Sequence, residues 1–588
     1  MNSSILNRFR KRNIQTNFYH FVLVIFVIAV SVCLIAGLVI NYLTLNRSTK
    51  KYFESSNLPN IWIETSTISN EDEEFLSSRF EYDKRYKFTS GFKTGSSEYE
   101  GTFLISNGNT STPYIIEGEK EKGCYVDAKF AKEHKFGLNH SKVAFNYELN
   151  GETKRIEFKI VGFISLAEDL IVDGDCVIFI DESVFLDTLK MYFNGIEEAN
   201  LTILNYNEVL IKSEVSADDK KAIQNYYENS ETNLVNIQEK ETLSSILAID
   251  KEIEIAKNML WIFPIIFIAI SVLVVISAIS QMTFKERYNI GLLKSIGIKN
   301  KQIISNYCGY GSFIGFFGAI FGFILSPLII PNMTFATYDK LYNLPRDEMK
   351  LTCPALLIVL TIIISVLICY FTTLFVCLNL TTKTPKECMS KHLKTSLKSR
   401  KKKKNIPAVI GAPLRNMKIN LTRTIMSIIG IAGSSLLMLI GFGIEKILLN
   451  SDDKKLYSVG VFSEIFKGFS IAFMLLTIII LIVQIFKERL KEMSMRRVHG
   501  ESYLKIWASV LLEMVFIGLV GYVISALLTV PTVYLNMRIF GISEYLSINF
   551  LSFLNTFLII FLTIILTACV GLVKIYRLKL GDAIKFSE

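Results

Sequence analysis

The sequence is short of charge and of histidine, and it lacks the signatures of an enzyme. Only 20% of its 588 residues are Asp, Glu, Lys or Arg, while 51% are hydrophobic. With a mean hydropathy of +0.37, this balance excludes a soluble enzyme of this length. It leaves a polytopic membrane protein with one polar domain. No GxxxxGK(S/T) phosphate loop is present, so the chain does not hydrolyse ATP by that route. The five histidines, His20, His134, His140, His392 and His499, fall in no HExxH or other metal-ligand spacing. His134 and His140 read as surface residues. No small-residue cleavage site follows the first apolar run, 21–40, which is therefore expected to stay as a span rather than to leave as a signal peptide.

Of the nine cysteines, seven, among them Cys33, Cys308 and Cys569, lie in or beside apolar runs and read as small apolar residues. Cys124 and Cys176 lie in the polar region. Their spacing alone leaves open whether they are joined by a disulfide or stay free.

Eight apolar stretches are long enough to cross a bilayer: roughly 19–44, 257–281, 306–331, 353–379, 422–447, 463–486, 507–535 and 550–575. Lys and Arg set their orientation. Residues 1–18 carry Arg8, Arg10, Lys11 and Arg12 and no acid. Loop 282–305 has five basic residues and one acid, loop 380–423 thirteen and one, loop 487–506 six and three. The alternate loops, 332–352 and 536–549, are balanced. Both termini are therefore expected in the cytoplasm. The net charge of +10 sits in these loops and does not point to nucleic acid. The basic run KSRKKKK at 398–404 reads as a tether near anionic lipid.

The region 45–255 then lies outside the cell and reads as an α+β domain. KVAFNYELNGETKRIEFKIVGFI alternates apolar and polar residues about Asn150-Gly151, a hairpin signal. SADDKKAIQNYYEN opens with a capping box, Ser216 to Asp219. Residues 237–258 look helical and are expected to run into the second span as a stalk.

The two halves repeat. At an offset of 203, Gln281 meets Gln484, Lys294 meets Arg497, Gly297 meets Gly500 and Ile303 meets Ile506. Gly315, Gly318 and Gly322 meet Gly518, Gly521 and Ser525. Near the end of each half the offset becomes about 195, placing TPKECM (384–389) over KLGDAI (579–584). Gly311-x-x-x-Gly315, Gly318-x-x-x-Gly322 and Gly521-x-x-x-Ser525 permit close helix packing, and we expect them to pack the halves against each other. Glu513, in the seventh apolar stretch, is a costly carboxylate there. It serves either a structural or gating hydrogen bond or proton coupling. Its repeat mate is Tyr310. The segments 285–303 and 488–506 are basic and amphipathic. Each reads either as an inert connector or as a surface helix that offers a charged face to a partner.

KERYNIGLLKSIGIKNKQI, from Lys285, resembles the signature of the FtsX/MacB-type permease superfamily: an arginine-bearing stretch with an acid, then an isoleucine-glycine-leucine-leucine-lysine core and a glycine-rich span. KEMSMRRVHGESYLKI matches the same pattern and keeps the acid Glu492, where the first copy has Asn289. LLEMVFIGLVGYVIS, with Glu513, and PLRNMKINLTRTIMSIIGIAG resemble other parts of such permeases. YIIEGEKEKGCYVDAKFAKEHKFG followed by IEFKIVGFI is similar to the extracytoplasmic core domain of MacB-like members.

The resemblance implies a polytopic α-helical membrane protein with eight transmembrane helices. They would form two four-helix FtsX-like repeats, with one extracellular α+β domain between helices 1 and 2. The parts would be a basic N-terminus (1–18), helix 1 (19–44), the MacB-like domain and stalk (45–255), a first permease unit (256–380), a basic linker (381–421), a second permease unit (422–577) and a tail (578–588). It also implies that the segments 285–303 and 488–506 couple the chain to two copies of a separate ATP-binding-cassette ATPase. Glu286, Arg287, Lys294, Gly297, Arg489, Glu492, Arg496, Arg497 and Gly500 would carry that coupling. ATP and magnesium would bind in the ATPase and no cofactor in this chain. The protein would sit in a bacterial cytoplasmic membrane in contact with lipid. It would export or expel an antimicrobial peptide, a lipid-linked compound or a drug by transmitting motion to its outer domain. The alternative is a module that regulates a wall hydrolase or a histidine kinase and transports nothing.

Overall fold

The computed structural model describes Arg12, Gln15 and residues 18–138, 141–149, 151–170, 176–193, 205–230, 232–381, 384–389, 408–419, 421–450, 457–540 and 550–576. In chain order the first part forms α1 (Phe18–Ser55), β1 (Ile61–Thr65), α2 (Asn70–Ser77), β2 (Tyr82–Thr94), β3 (Ser97–Ser106), β4 (Tyr114–Gly118), β5 (Cys124–Asp127), α3 (Ala128–Glu133), β6 (Lys142–Leu149), β7 (Glu152–Ser165), β8 (Cys176–Asp181), α4 (Glu182–Tyr192), β9 (Glu208–Ile211), α5 (Ala217–Asn229) and β10 (Leu234–Glu239). Helices follow: α6 (Ser244–Lys285), α7 (Arg287–Ser295), α8 (Asn300–Leu341), α9 (Ala355–Thr381), α10 (Pro385–Met389), α11 (Ala408–Ile419), α12 (Leu421–Asn450), α13 (Tyr457–Val498), α14 (Tyr503–Phe540) and α15 (Phe550–Tyr576). The basic run at 398–404 and the tail 578–588 lie outside the described residues, as does almost all of 1–18.

The chain divides into two units. The helical unit takes residues up to Asn41, Ile255–Thr334 and the chain from Cys353. Among the described residues six helices are long and apolar enough to cross a membrane, within α1, α8, α9, α13, α14 and α15. Two shorter apolar stretches, Phe267–Ser280 in α6 and Ser427–Phe442 in α12, fall where the second and fifth spans are expected. The 203-residue offset reappears as a repeat of burial. Val275, Ala278, Ile279 and Met282 are buried in one copy, and Ile478, Leu481, Ile482 and Ile485 in the other. Ile290, Ile303 and Ile314 likewise match Met493, Ile506 and Ile517.

The small-residue faces correct one expectation. A Cβ on Gly311 would lie 2.6 Å from the Cys369 carbonyl, and one on Gly315 2.8 Å from that of Ser365, both in α9. One on Gly318 would lie 2.6 Å from Ile28 Cγ2 in α1, and Gly322 faces Ala29 and Val32 there. In the second half Gly518 faces Ile560 and Ile564 of α15, and Gly521 faces Ile428 and Ile431 of α12. Ser525 is fully buried. These faces pack helices within each half. The halves meet through larger side chains, Val27 and Leu34 of α1 and Phe267 of α6 with Leu437 of α12 and Phe466 and Phe473 of α13. The Phe267 and Phe473 rings cross edge to face at 5.2 Å. Small residues allow neighbouring backbones to approach, whereas the seam between halves is filled by aromatic and branched side chains.

The second unit is Tyr42–Glu254 with Phe335–Thr352. Strands β10, β1, β9 and the start of β2 lie in that order, all antiparallel, with α2 and α5 in the two β-α-β connections. This is a split βαβ arrangement. The rest of β2 pairs with β3, and the ladder continues through β8, β5 and β7 to β6, which pairs back onto β2 at Phe92–Phe145. Six strands therefore close around a core that includes Phe92, Phe103, Phe145, Phe158 and Ile178. The β6–β7 hairpin has Leu149 opposite Glu152. Gly151 stands at φ +82°, the positive angle a type I′ turn requires; Asn150 lies outside the described residues. The Ser216–Asp219 capping box opens α5.

Two expectations for this unit change. Residues 234–239 are strand β10 and 240–242 a 3-10 turn, so the helix read from 237 begins only at Ser244. Cys124 and Cys176 are free and buried rather than bonded. Cys124 pairs with Ile180, which puts Cys176 four residues further along β8. That is on the order of 10 Å of strand, beyond a disulfide's reach. Burial pushes both thiols up.

Candidate functional site

The two basic segments end in the same backbone motif. α7 ends at Ser295; Gly297 follows at φ +91°. Its N–H donates to the Lys294 carbonyl at 3.0 Å, and the Ile298 N–H donates to that of Leu293 at 3.1 Å. α13 ends at Val498; Gly500 follows at φ +86°. Its N–H donates to the Arg497 carbonyl at 3.0 Å, and the Glu501 N–H to that of Arg496 at 3.1 Å. Both are Schellman caps, in which a left-handed residue lets the chain turn back and satisfy the last carbonyls. Glycine is needed at both because a Cβ is disfavoured in that conformation.

The caps differ in what braces them. In the first, the bracing residues are Leu293 and Ile298, packed in one apolar cluster. In the second, the same positions are Arg496 and Glu501, joined through Nε and Nη2 at 2.8 Å. An apolar brace and an ion pair thus hold equivalent turns.

The approach to each cap also differs. In the second half α13 runs unbroken from Tyr457 to Val498. In the first, helix α6 stops at Lys285, and Glu286 starts α7 with ψ 8°. Glu286 is buried and accepts a hydrogen bond from the Tyr307 hydroxyl of α8. Burial raises its carboxyl to about 7, against the lowering effect of the Tyr307 hydrogen bond. Its repeat mate is Arg489. The side chains of Arg287 and Arg489 lie outside those described.

The remaining named residues distribute as follows. Lys294, Glu492, Arg496 and Arg497 are half-buried, and Gly297 and Gly500 are exposed. Glu513 is fully buried in α14, as is its mate Tyr310 in α8. On α7 the face opposite Ile290 is open, with Tyr288, Leu292 and Ile296 all exposed. Two further residues bear on this site: Tyr307, which carries no mark in a reading of motifs, and Gly291, the glycine of the isoleucine-glycine-leucine-leucine-lysine core. Tyr307 holds Glu286 from another helix, a pairing 21 residues apart in the chain. Gly291 has a small counterpart, Ser494, at the 203 offset; that coincidence is a signal available in the sequence.

Residues 261–385 and 464–580 both match the family described as FtsX-like permease C-terminal. The two matched stretches each contain one of the capped segments. No curated protein matches the chain. The repeat of burial, the paired Schellman caps and the two family matches lead to one conclusion: the two halves are copies of one unit, each similar to the FtsX-like permease C-terminal family, as expected for an FtsX/MacB-like permease.

Proposed function

We propose that this chain couples ATP hydrolysis by a separate ATPase to the export or expulsion of an amphipathic peptide, a lipid-linked compound or a drug. Its family supports the broader part of that reading, an integral membrane permease component of an ABC-type transporter, and such permeases generally pair with an ABC ATPase subunit. The finer part is ours. Eight helices span the membrane, α6 and α12 being the two beyond the six apolar ones, with both termini in the cytoplasm. The segments 285–303 and 488–506 face the cytoplasm, and each docks one ATPase. The second unit lies outside the cell and receives the motion.

The observation that carries this reading is the duplicated cap. Two segments that share few identical residues end in one glycine turn, and the same repeated positions are buried around each. An inert connector needs no such duplicated geometry. Glu286, Lys294, Gly297, Glu492, Arg496, Arg497 and Gly500 are the residues we assign to coupling. The test is reconstitution of the chain with its ATPase in liposomes. Reversing Arg496 and Arg497 to Glu should lower chain-dependent ATP hydrolysis about tenfold while the protein stays in the membrane. Unchanged hydrolysis would remove the coupling role.

A further inference from the structure

Helix α7 is seated on a second element that is remote from it in sequence. Gly291 lies mid-helix and faces α10. A Cβ at Gly291 would lie 2.7 Å from Met389 Cγ, 3.1 Å from Cys388 Cβ and 3.2 Å from the Pro385 carbonyl oxygen. The sub-3.0 Å neighbour is the flexible Met389 side chain, which can shift, while Cys388 Cβ and the Pro385 carbonyl must give by a few tenths of an ångström, so a small side chain fits here and a bulky one does not. Cys388 is 3% exposed. α10 is the segment that follows the fourth apolar stretch; Thr384 just before it and Pro385 and Lys386 at its start are exposed. The corresponding segment of the second half, 579–584, lies outside the described residues.

We propose that α7 and α10 form one rigid docking body in the first half. In it α10 positions α7, and Lys386 belongs to the same surface that meets the ATPase. This rests on the coupling role given to 285–303 above. It adds a docking residue, Lys386, and a positioning residue, Cys388, and gives the signature glycine Gly291 a packing role of its own. Three arguments support it. The small residue at 291 lets the two helices approach closely, with the Cys388 Cβ and the Pro385 carbonyl within 3.2 Å of a Cβ placed there. A short helix of five residues gains its stability from packing rather than from its own hydrogen bonds, so α10 is held by what it touches. The exposed cation continues the basic character of the 285–303 segment, which holds five basic residues and one acid between 282 and 305.

The experiment is a reversible cross-link in the full chain. In a Gly291→Cys variant, the new thiol and Cys388 each give up one proton and one electron to added diamide, and a sulfur–sulfur bond forms. The Cβ separation of 3.1 Å needs only a small outward shift to reach the ~3.8 Å typical of a disulfide. The linked peptides are identified by mass spectrometry. The linked protein, reconstituted with its ATPase, should keep chain-dependent hydrolysis within twofold of the unlinked variant. A tenfold loss that dithiothreitol restores would show that the two helices must move apart, and would overturn the proposal, as would failure of the bond to form. If Gly291→Cys does not accumulate, Lys386→Glu decides: it should weaken ATPase co-purification at least fivefold, and unchanged co-purification would remove α10 from the docking surface. The unmodified chain must first bring down an ATPase. If it does not, the reading of function fails, and not this inference alone.

Discussion

Gly297 and Gly500 are fixed by their backbone angles, and both positions are open, with nothing within 4 Å of a Cβ placed there. A larger side chain is therefore opposed by conformation and not by crowding, at about 1–2 kcal/mol. Gly297→Leu and Gly500→Leu should each loosen the cap and lower chain-dependent ATP hydrolysis severalfold, with membrane levels close to normal. Hydrolysis assays on the reconstituted complex check this. Glu286 differs because burial is what shifts it. Its native carboxyl titrates near 7, above the 4.5 of an unperturbed one. Between those values the native state holds a proton that the unfolded state has released. Stability from this group is therefore full below pH about 4.5 and is lost as pH rises through about 7, on the order of 3 kcal/mol in all. Glu286→Gln should flatten the decline in melting temperature between pH 5 and pH 8 in detergent. A variant that melts with the same pH slope as the unmodified protein would assign that slope to another group.

At the scale of elements, the helical repeat was legible because small and apolar residues recur at one offset, and those positions are the ones buried in both copies. The hairpin about Gly151 and the cap at Ser216 were legible for a similar reason, since both are local. What was not legible is non-local. The pairing of β2 with β6 closes the ring through only Phe92–Phe145 and Lys93–Ala144, and no local pattern announces it. The separation of Cys124 from Cys176 is a matter of strand register, to which their sequence spacing is blind. The glycine faces were read correctly as close-packing surfaces, but which neighbour they meet depends on the tertiary arrangement.

Two elements of the second unit give further tests. Arg85 is buried at the joint in β2, bonded to Glu208 and Glu168, with the Trp62 indole donating to Glu168 at 2.7 Å. Burial raises the Glu168 carboxyl, yet the Arg85 guanidinium outweighs it and holds it below the usual range. Arg85→Ala leaves buried carboxylates without their cation and should cost about 3–5 kcal/mol, read as a fall in the melting temperature of the full chain. Asn343 lies in a stretch that looks like a plain loop, but its amide donates to the Ile164 carbonyl at 3.0 Å and its N–H to that of Leu170 at 2.9 Å. Its carbonyl accepts from the Ser165 hydroxyl. Asn343→Ala should destabilise this unit by about 1–3 kcal/mol, and proteolysis should then cut within 335–352 faster than in the unmodified chain. The stretch has no apolar periodicity, which is why it read as a loop.

At the scale of the whole molecule, one chain carries two FtsX-like units whose segments, which we propose dock the ATPase, share a turn and a pattern of burial and differ in what braces the turn. The first is hinged at Glu286 and braced by apolar side chains, and the second is continuous and braced by an ion pair. We expect the two ATPase positions to be unequal in consequence. Raising salt should weaken docking at 488–506 more than at 285–303, because a half-buried ion pair is still partly screened and an apolar brace is not. Cross-linking a labelled ATPase to each segment at low and high salt measures this. The central claim is that one chain supplies both docking positions. The measurement that tests it most directly is purification of the tagged chain from its native membrane in gentle detergent, with quantitative mass spectrometry of what accompanies it. The account predicts an ATPase with a phosphate loop at two copies per chain. A chain that arrives with no such ATPase, and with a kinase or a wall hydrolase instead, would contradict it.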